Sequence, residues 1–147
     1  MRYREDVRGI HNLLVSVGSP DAQDKDGRSA LVHAVLASPT SMQVISTLLE
    51  AGVDTNIKDC GQGWSTLAFA ARDCAAKICR MHIHAGAEVD YSDAFWNTAL
   101  WRAIMAKKAD TVAVWLAGGA NPELFNKSGV SPRILSKTLG WDLMSVS

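Results

Sequence analysis

The segment TALWRAIMAKKADTVAVWLAGGANP, from Thr98 to Pro122, contains one complete structural unit of this chain. Thr98 precedes an apolar run, as expected where its oxygen accepts from the free N–H groups at the start of a helix. A second apolar run ends at Gly118 and Gly119, and glycine readily adopts the left-handed conformation that ends a helix. Asn121 and Pro122 favour an exposed turn. The segment therefore predicts a short helix, a loop, a longer helix and a turn.

The same landmarks recur along the chain at regular intervals. The glycines that follow the apolar runs are Gly52, Gly86 and Gly119, and a weaker copy ends at Gly18. The hydroxyl residues that precede the first helices are Ser29, Ser65, Thr98 and Ser131. Both series repeat with a period of roughly 33 residues, although the first interval between hydroxyl residues is longer. Two independent series with a common period predict a stack of repeats.

Each repeat is predicted to contain two helices that differ in length. The first helices are expected at about residues 30–37, 66–73, 99–106 and 132–139, and the second helices at about residues 42–51, 75–85 and 110–118. A helix over about residues 5–17 matches a second helix without its partner. Polar turn residues such as Asp54 and Asn121 connect the units.

Composition and charge are typical of one globular domain. The 147 residues are 48% hydrophobic and 20% charged, and 15 basic residues balance 15 acidic ones. A net charge of zero supplies no long-range field towards nucleic acid or an anionic membrane, so neither is predicted as a partner. Three cysteines, an odd number, favour a reducing cytoplasm over a disulfide framework. The charged start and the lack of a long apolar run predict no secretory signal and no membrane span.

The in-phase set of motifs resembles the ankyrin repeat family. The matching segments are Asp26-Gly27-Arg28-Ser29-Ala30-Leu31, Gly52-Val53-Asp54-Thr55-Asn56, Gly86-Ala87-Glu88-Val89-Asp90, Gly119-Ala120-Asn121-Pro122 and Gly129-Val130-Ser131-Pro132. The resemblance implies an all-α solenoid of helix–turn–helix pairs joined by β-turn or hairpin-like loops. It divides the chain into an N-terminal half-repeat (1–23), repeats at 24–58, 59–92 and 93–125, and a C-terminal partial repeat (126–147).

The chain departs from the family pattern at several landmarks. Only Pro132 keeps the family's proline, and Val32, Ala68 and Trp101 stand where the family has a histidine after the leucine. We therefore expect the usual hydrogen bonds between turn and helix to be lost or replaced. Trp96 stands in place of the turn glycine.

The resemblance implies a concave face, made of turn tips and first helices, that binds proteins. Trp64, Phe95 and Trp96 fall in the turn segments, which project in this family, and Trp101 lies near the base of the face. Tryptophan is enriched at binding hot spots, although packing against neighbouring turns is the alternative for these rings. The other candidates fall where the family varies its contacts, with a solvated surface as the alternative: Lys25, Asp26, Arg28, Gln62, Arg72, Asp73, Asn97 and Lys127.

The sequence predicts no catalytic or cofactor site. The nearest approach to a metal site is Cys74, Cys79, His82 and His84, but their spacing is not that of structural zinc sites. Cys79 and His82 are instead expected to fill core positions. Residues 61–63 form a Gly-Gln-Gly loop that lacks the lysine and hydroxyl residue of a phosphate-binding loop.

These observations favour a non-enzymatic module, monomeric when free, whose concave face masks one partner protein. The chain resembles small stand-alone bacterial ankyrin proteins, and that resemblance implies an immunity protein that blocks a cognate secreted toxin or effector in the cytoplasm. The alternative is a scaffold or adaptor in a larger signalling or regulatory assembly. A metal-dependent or hydrolytic enzyme is the third class considered.

Overall fold

The computed structural model describes residues 21–37 and 42–143, and this part of the chain contains helices but no strands. Its helices are α1 (Ala30–Leu36), α2 (Met42–Glu50), α3 (Thr66–Asp73), α4 (Ala76–His84), α5 (Ala99–Met105), α6 (Ala109–Ala117) and α7 (Pro132–Thr138). Isolated bridges close the hairpin-like loops between Gln23 and Ser29, Lys58 and Ser65, and Ser92 and Thr98. The predicted all-α repeat fold is confirmed, whereas the helix predicted at 5–17 lies outside the described residues.

Hydroxyl caps start three of the four first helices. The side-chain oxygens of Ser29, Thr98 and Ser131 each accept a hydrogen bond from the backbone N–H three residues later. Ser65 has the same extended backbone, but its side chain makes no such bond, so its predicted capping role is wrong. There the backbone N–H of Ala68 donates to the Ser65 carbonyl oxygen over 3.1 Å.

The repeated glycines end the second helices as predicted. Gly52, Gly86 and Gly119 have φ angles of +79°, +88° and +92°. Each donates its backbone N–H to a carbonyl in the last turn of the helix before it, over 3.1 Å. The period read from the sequence is therefore a period of helix ends in the structure.

The helices form two layers with the core between them. The inner layer consists of α1, α3, α5 and α7, each packed on the next, and the outer layer consists of α2, α4 and α6. The largest fully buried apolar side chains are Leu31, Ile45, Leu48, Leu67, Leu100, Ile104 and Trp115. Trp141 packs half-buried against the C-terminal end of this core. No helix among the described residues has the length and apolar character to span a membrane.

Polar side chains fix the spacing between successive repeats. In each case an Asp or Asn oxygen of one repeat accepts a backbone N–H of the next repeat, over 2.7–3.0 Å. Asp21 accepts from the backbone N–H of Asp54, Asn56 accepts from that of Glu88, and Asp90 accepts from that of Asn121. These bonds explain why polar residues follow each helix-ending glycine, and they hold the turns in a regular row.

Candidate functional site

Three of the four inter-repeat turns share one hydrogen-bonding pattern. Each of these turns closes with a hydrogen bond of 2.9–3.0 Å from the backbone N–H of its fourth residue to the backbone carbonyl of its first. The three turns lie at residues 24–27, 93–96 and 126–129. In the second of them, Oδ1 of Asp93 accepts the backbone N–H groups of Phe95 and Asn97 at 2.8 and 3.0 Å. Asp24 and Asn126 make the equivalent pairs of bonds. With the turn backbone bonded internally, the middle residues project outwards.

Phe95 and Trp96 project from the tip of the second of these turns, as predicted. Their side chains are 52% and 56% exposed. Lys127 of the next turn donates its backbone N–H to the Phe95 carbonyl over 3.1 Å. Its Nζ lies 5.7 Å from the centre of the Trp96 ring. Two large rings and a cation are therefore presented together on a hydrogen-bonded support, which we call the aromatic tip.

Trp96 also has an unusual backbone conformation. Its φ angle is +66°, whereas glycine occupies the equivalent position in the other two turns, as Gly27 and Gly129. A residue with a side chain pays about 1 kcal/mol or more for this conformation. The turn therefore tolerates a local cost to place an indole ring at the surface.

Trp64 lies in the core, and the expectation that it projects from a turn is wrong. It is 6% exposed, and its ring centre lies 5.0 Å from that of Phe69. One extra residue in this turn shifts Trp64 to the position after the tip, where its backbone N–H donates to Oδ1 of Asp59 at 3.0 Å. Gln62 occupies the tip instead, and its backbone carbonyl accepts the backbone N–H of Ala94 over 2.9 Å.

Arginines stack on the rings around Trp64. The Cζ atom of Arg102 lies 4.2 Å from the Trp64 ring centre and 5.4 Å from that of Trp101. Arg102 Nη2 donates to Oδ2 of Asp93 over 2.6 Å, and the Asp93 side chain is 1% exposed. We define the arginine–aromatic cluster as Arg28, Trp64, Phe69, Arg72, Trp101 and Arg102.

The other two arginines of this cluster differ in their partners. Arg72 Cζ lies 4.9 Å from the Trp64 ring centre, and its Nε and Nη2 donate to both oxygens of Asp73 at 2.8 and 2.7 Å. These bonds lower the pKa of Asp73. Arg28 Cζ lies 5.6 Å from the Phe69 ring centre. Among the described residues, Arg28 pairs with no carboxylate.

The arginine–aromatic cluster also contains buried donors without acceptors. Four side-chain N–H groups are inaccessible and make no hydrogen bond within the described part of the chain: Nε of Arg28 and Arg102, and Nε1 of Trp64 and Trp101. Buried polar groups in folded proteins are normally hydrogen-bonded. The cluster is therefore rich in donors and poor in acceptors.

The remaining predicted site residues divide by exposure. Lys25, Asp26 and Gln62 lie exposed in the turns. Asn97 is buried, and its Oδ1 accepts from Asn126 Nδ2 over 2.9 Å, so the prediction of a surface position for it is wrong. Whether any of these residues contacts a partner stays a prediction.

The sequence patterns did not predict Arg102, Phe69 or the 61% exposed Phe125 as site residues. The repeat register would have revealed the first two, because Phe69 and Arg102 both lie four residues after the hydroxyl residue of their unit.

His33 holds the same position in the first unit, and its Nε2 lies 2.6 Å from Oδ2 of Asp24. The pKa of Asp24 is lowered chiefly by the hydrogen bond from the backbone N–H of Arg28, and to a smaller extent by the bond from the His33 side chain. The His33–Asp24 and Arg102–Asp93 pairs replace the turn-to-helix bonds of the missing family histidine.

The cysteines and histidines considered for a metal site do not converge. Cys79 and His82 are fully buried core residues, as predicted, whereas His84 is exposed. Burial is the main cause that raises the pKa of Cys79 to about 12 and lowers the pKa of His82. In residues 21–37 and 42–143, no group of three or more His, Cys, Asp or Glu residues is placed to hold a metal ion.

Three relatives found by comparison with known proteins are ankyrin repeat proteins. The chain is 32% identical over 105 residues to ankyrin repeat and SAM domain-containing protein 6 of Danio rerio. It is 31% identical over 121 residues to ankyrin repeat and KH domain-containing protein mask-1 of Caenorhabditis elegans, and 33% identical over 111 residues to ankyrin repeat domain-containing protein SAT10 of Stachybotrys chartarum.

These matches cover most of this chain but little of each relative. They span 69%, 82% and 76% of the chain, and 14%, 4% and 6% of the respective relatives. No protein-family model matches the sequence.

Proposed function

The chain belongs to the ankyrin repeat family, and we propose that it is a non-enzymatic protein-binding module that masks one partner with its inner helices and turn tips. The observation that carries the proposal is the aromatic tip. Phe95 and Trp96 are more than half exposed, although most large apolar side chains of the described chain lie in the core. Clustered exposed rings are typical of interaction sites.

The aromatic tip suits a binding role energetically. Phe95 and Trp96 each have two side-chain torsions and bury a large area at small entropic cost. Their turn is fixed by hydrogen bonds from the backbone N–H groups of Phe95 and Asn97 to the Asp93 side chain. A further bond runs from the backbone N–H of Lys127 to the Phe95 carbonyl. Little conformational freedom remains to be lost on association, so more of the contact energy contributes to affinity.

A capture experiment tests this function. The immobilised chain is exposed to an extract of the source cells, and the retained protein is identified and titrated against the purified chain by calorimetry. We expect Trp96→Ala to weaken binding by about 30-fold, the usual effect of removing a hot-spot tryptophan. Met42→Ala, which removes an exposed apolar side chain from α2, is the matched control and should leave the affinity unchanged.

Two results would overturn the proposal. One is the absence of any protein partner together with turnover of a small molecule by the purified chain. The other is a partner whose affinity is the same for the wild-type chain, Trp96→Ala and Phe95→Ala, since the aromatic tip would then not be the binding surface.

The narrower proposal is that the partner is a secreted bacterial toxin or effector and that the chain is its immunity protein. It is supported by the resemblance to small ankyrin proteins of that kind and by a face suited to covering one partner. Co-expression with the toxin encoded next to the gene should rescue growth, and Trp96→Ala should weaken the rescue. Failure to rescue, with capture of two proteins at once, would favour the scaffold or adaptor alternative.

A further inference from the structure

We propose that the arginine–aromatic cluster binds a carboxylate side chain within an acidic segment of the partner protein. This inference rests on the proposed function, because it names the chemistry of the partner at the same face. It concerns a different patch from the aromatic tip. It depends on Arg28, whose guanidinium lies over the Phe69 ring and pairs with no carboxylate among the described residues.

The rings hold the three guanidinium groups in place. The centre of the Phe69 ring lies 5.6 Å from the Cζ atoms of both Arg28 and Arg72. The centre of the Trp64 ring lies 4.9 Å from Arg72 Cζ and 4.2 Å from Arg102 Cζ. Stacking restrains a guanidinium while leaving the donors at its edge directed sideways. The planar fork of an arginine matches the two oxygens of a carboxylate.

Pairing within the cluster leaves one cation in excess. Arg102 is bonded to Asp93 and Arg72 is bonded to Asp73, which leaves Arg28 without a carboxylate among the described residues. Lys108 adds a further positive charge beyond Asp73, where its Nζ donates to the Cys74 carbonyl over 3.1 Å. The face therefore complements a negatively charged group.

The donors of the cluster lead to the same chemistry. The buried Nε groups of Arg28 and Arg102, and the indole N–H groups of Trp64 and Trp101, find no acceptor in the described chain. Arginine and tryptophan side chains donate hydrogen bonds and accept none. These four groups are inaccessible, so a ligand contacts the exposed edges of the arginines instead. There it must supply acceptors, and an ionised carboxylate supplies them without adding a competing donor.

Nearby acidic groups favour a singly charged ligand over a phosphate. Asp73 and Asp93 lie within the cluster, and Asp24 accepts the backbone N–H of Arg28 over 3.0 Å. Their repulsion grows with the charge of the ligand, and a phosphate group placed beside carboxylates is destabilised. We therefore assign the patch to an aspartate or glutamate of the partner and not to a phosphorylated residue.

The test uses fluorescently labelled poly-L-glutamate as the acidic ligand, with binding to the full chain followed by anisotropy at low salt. Arg28→Gln should weaken binding by about tenfold, because it removes the guanidinium of the cluster that pairs with no carboxylate among the described residues. Arg80→Gln makes the same charge change on the exposed surface of α4 and should change the affinity less than twofold. Arg28→Lys, which keeps the charge but not the fork, should fall between the two. Equal melting temperatures of the variants establish that each is folded.

Several outcomes overturn the inference. No binding of poly-L-glutamate, or equal losses in Arg28→Gln and Arg80→Gln, means that the cluster does not recognise carboxylates. Tighter Arg28-dependent binding of a phosphoserine peptide than of its glutamate counterpart overturns the choice of ligand. A captured partner that binds Arg28→Gln as tightly as wild type but no longer binds Trp96→Ala overturns this inference and leaves the proposed function intact.

Discussion

Arg102 of α5 and Asp93 of the preceding turn form an ion pair with a separation of 2.6 Å, in which the carboxylate is almost fully buried. The other oxygen of Asp93 holds the backbone of the turn that presents Phe95 and Trp96. The same guanidinium stacks on Trp64. One pair of residues thus connects the aromatic tip to the arginine–aromatic cluster.

Breaking this pair should destabilise the protein strongly. Arg102→Ala leaves the Asp93 carboxylate charged, buried and unpaired, and we expect the free energy of unfolding to fall by about 3 kcal/mol. The matched control is Arg133→Ala, which removes an arginine paired with the exposed Glu123 and should cost less than about 1 kcal/mol. Urea denaturation measures both values. Equal costs for the two variants would mean that burial of Asp93 does not govern the strength of its pair.

Replacing Trp96 with glycine should stabilise the protein and weaken its binding to a partner. At a φ of +66° the tryptophan backbone is strained, so Trp96→Gly should raise the free energy of unfolding by about 1 kcal/mol while weakening partner binding. Lys107, with a φ of +57° in the loop between α5 and α6, is the control. Lys107→Gly should give a similar gain in stability with no loss of binding. A decrease in stability in Trp96→Gly would show that ring contacts outweigh the backbone strain.

The sequence predicted the repeat architecture well, because its signals are local. Hydroxyl caps, helix-ending glycines and an apolar stripe each act within a few residues, and their period transfers directly to the structure. Ser65 shows the limit of this reasoning, since it has the sequence and backbone of a cap without the side-chain bond.

The site was harder to predict, because it depends on contacts between repeats. The longer interval between Ser29 and Ser65 indicates an insertion, but it does not reveal that the extra residue after Asp59 moves Trp64 from the tip into the core. Arg102 gains its role only from Asp93, Trp64 and Trp101, which come from two different units. The exposure of Phe95 and Trp96 was predicted correctly, because it follows from the turn itself.

The turn glycines offer a test of how closely neighbouring turns pack. A Cβ atom on Gly27 would lie 2.6 Å from both the backbone nitrogen and Sγ of Cys60, whereas one on Gly129 would meet nothing within 4 Å. The φ angles are similar, +76° and +74°. Gly27→Ala should therefore cost about 3 kcal/mol and Gly129→Ala about 1 kcal/mol, because only the first adds a steric clash to the backbone strain. Thermal and urea unfolding would reveal the difference, and equal costs would contradict the close approach of the first two turns.

His82 should make the protein sensitive to acid before its carboxylates titrate. The ring is fully buried, and burial lowers its pKa below the usual value of 6.5, against a smaller opposing effect of the bond between Nδ1 and the Ile78 carbonyl. The unfolded chain therefore takes up a proton first as the pH falls. Stability should be constant with respect to this group above about pH 6.5 and decline below it, by at most about 1.4 kcal/mol per pH unit.

The contribution of His82 can be separated from that of the acidic residues. The pKa values of Asp24 and Asp73 lie below 3.8, so the stability that they confer is lost only at lower pH. We expect His82→Leu to remove the decline between about pH 6.5 and pH 5 in a series of urea titrations. His84→Leu, which changes an exposed histidine on the same helix, should keep the wild-type profile. If His82→Leu and the wild type lose stability in parallel over this range, the buried ring is not the acid-sensitive group.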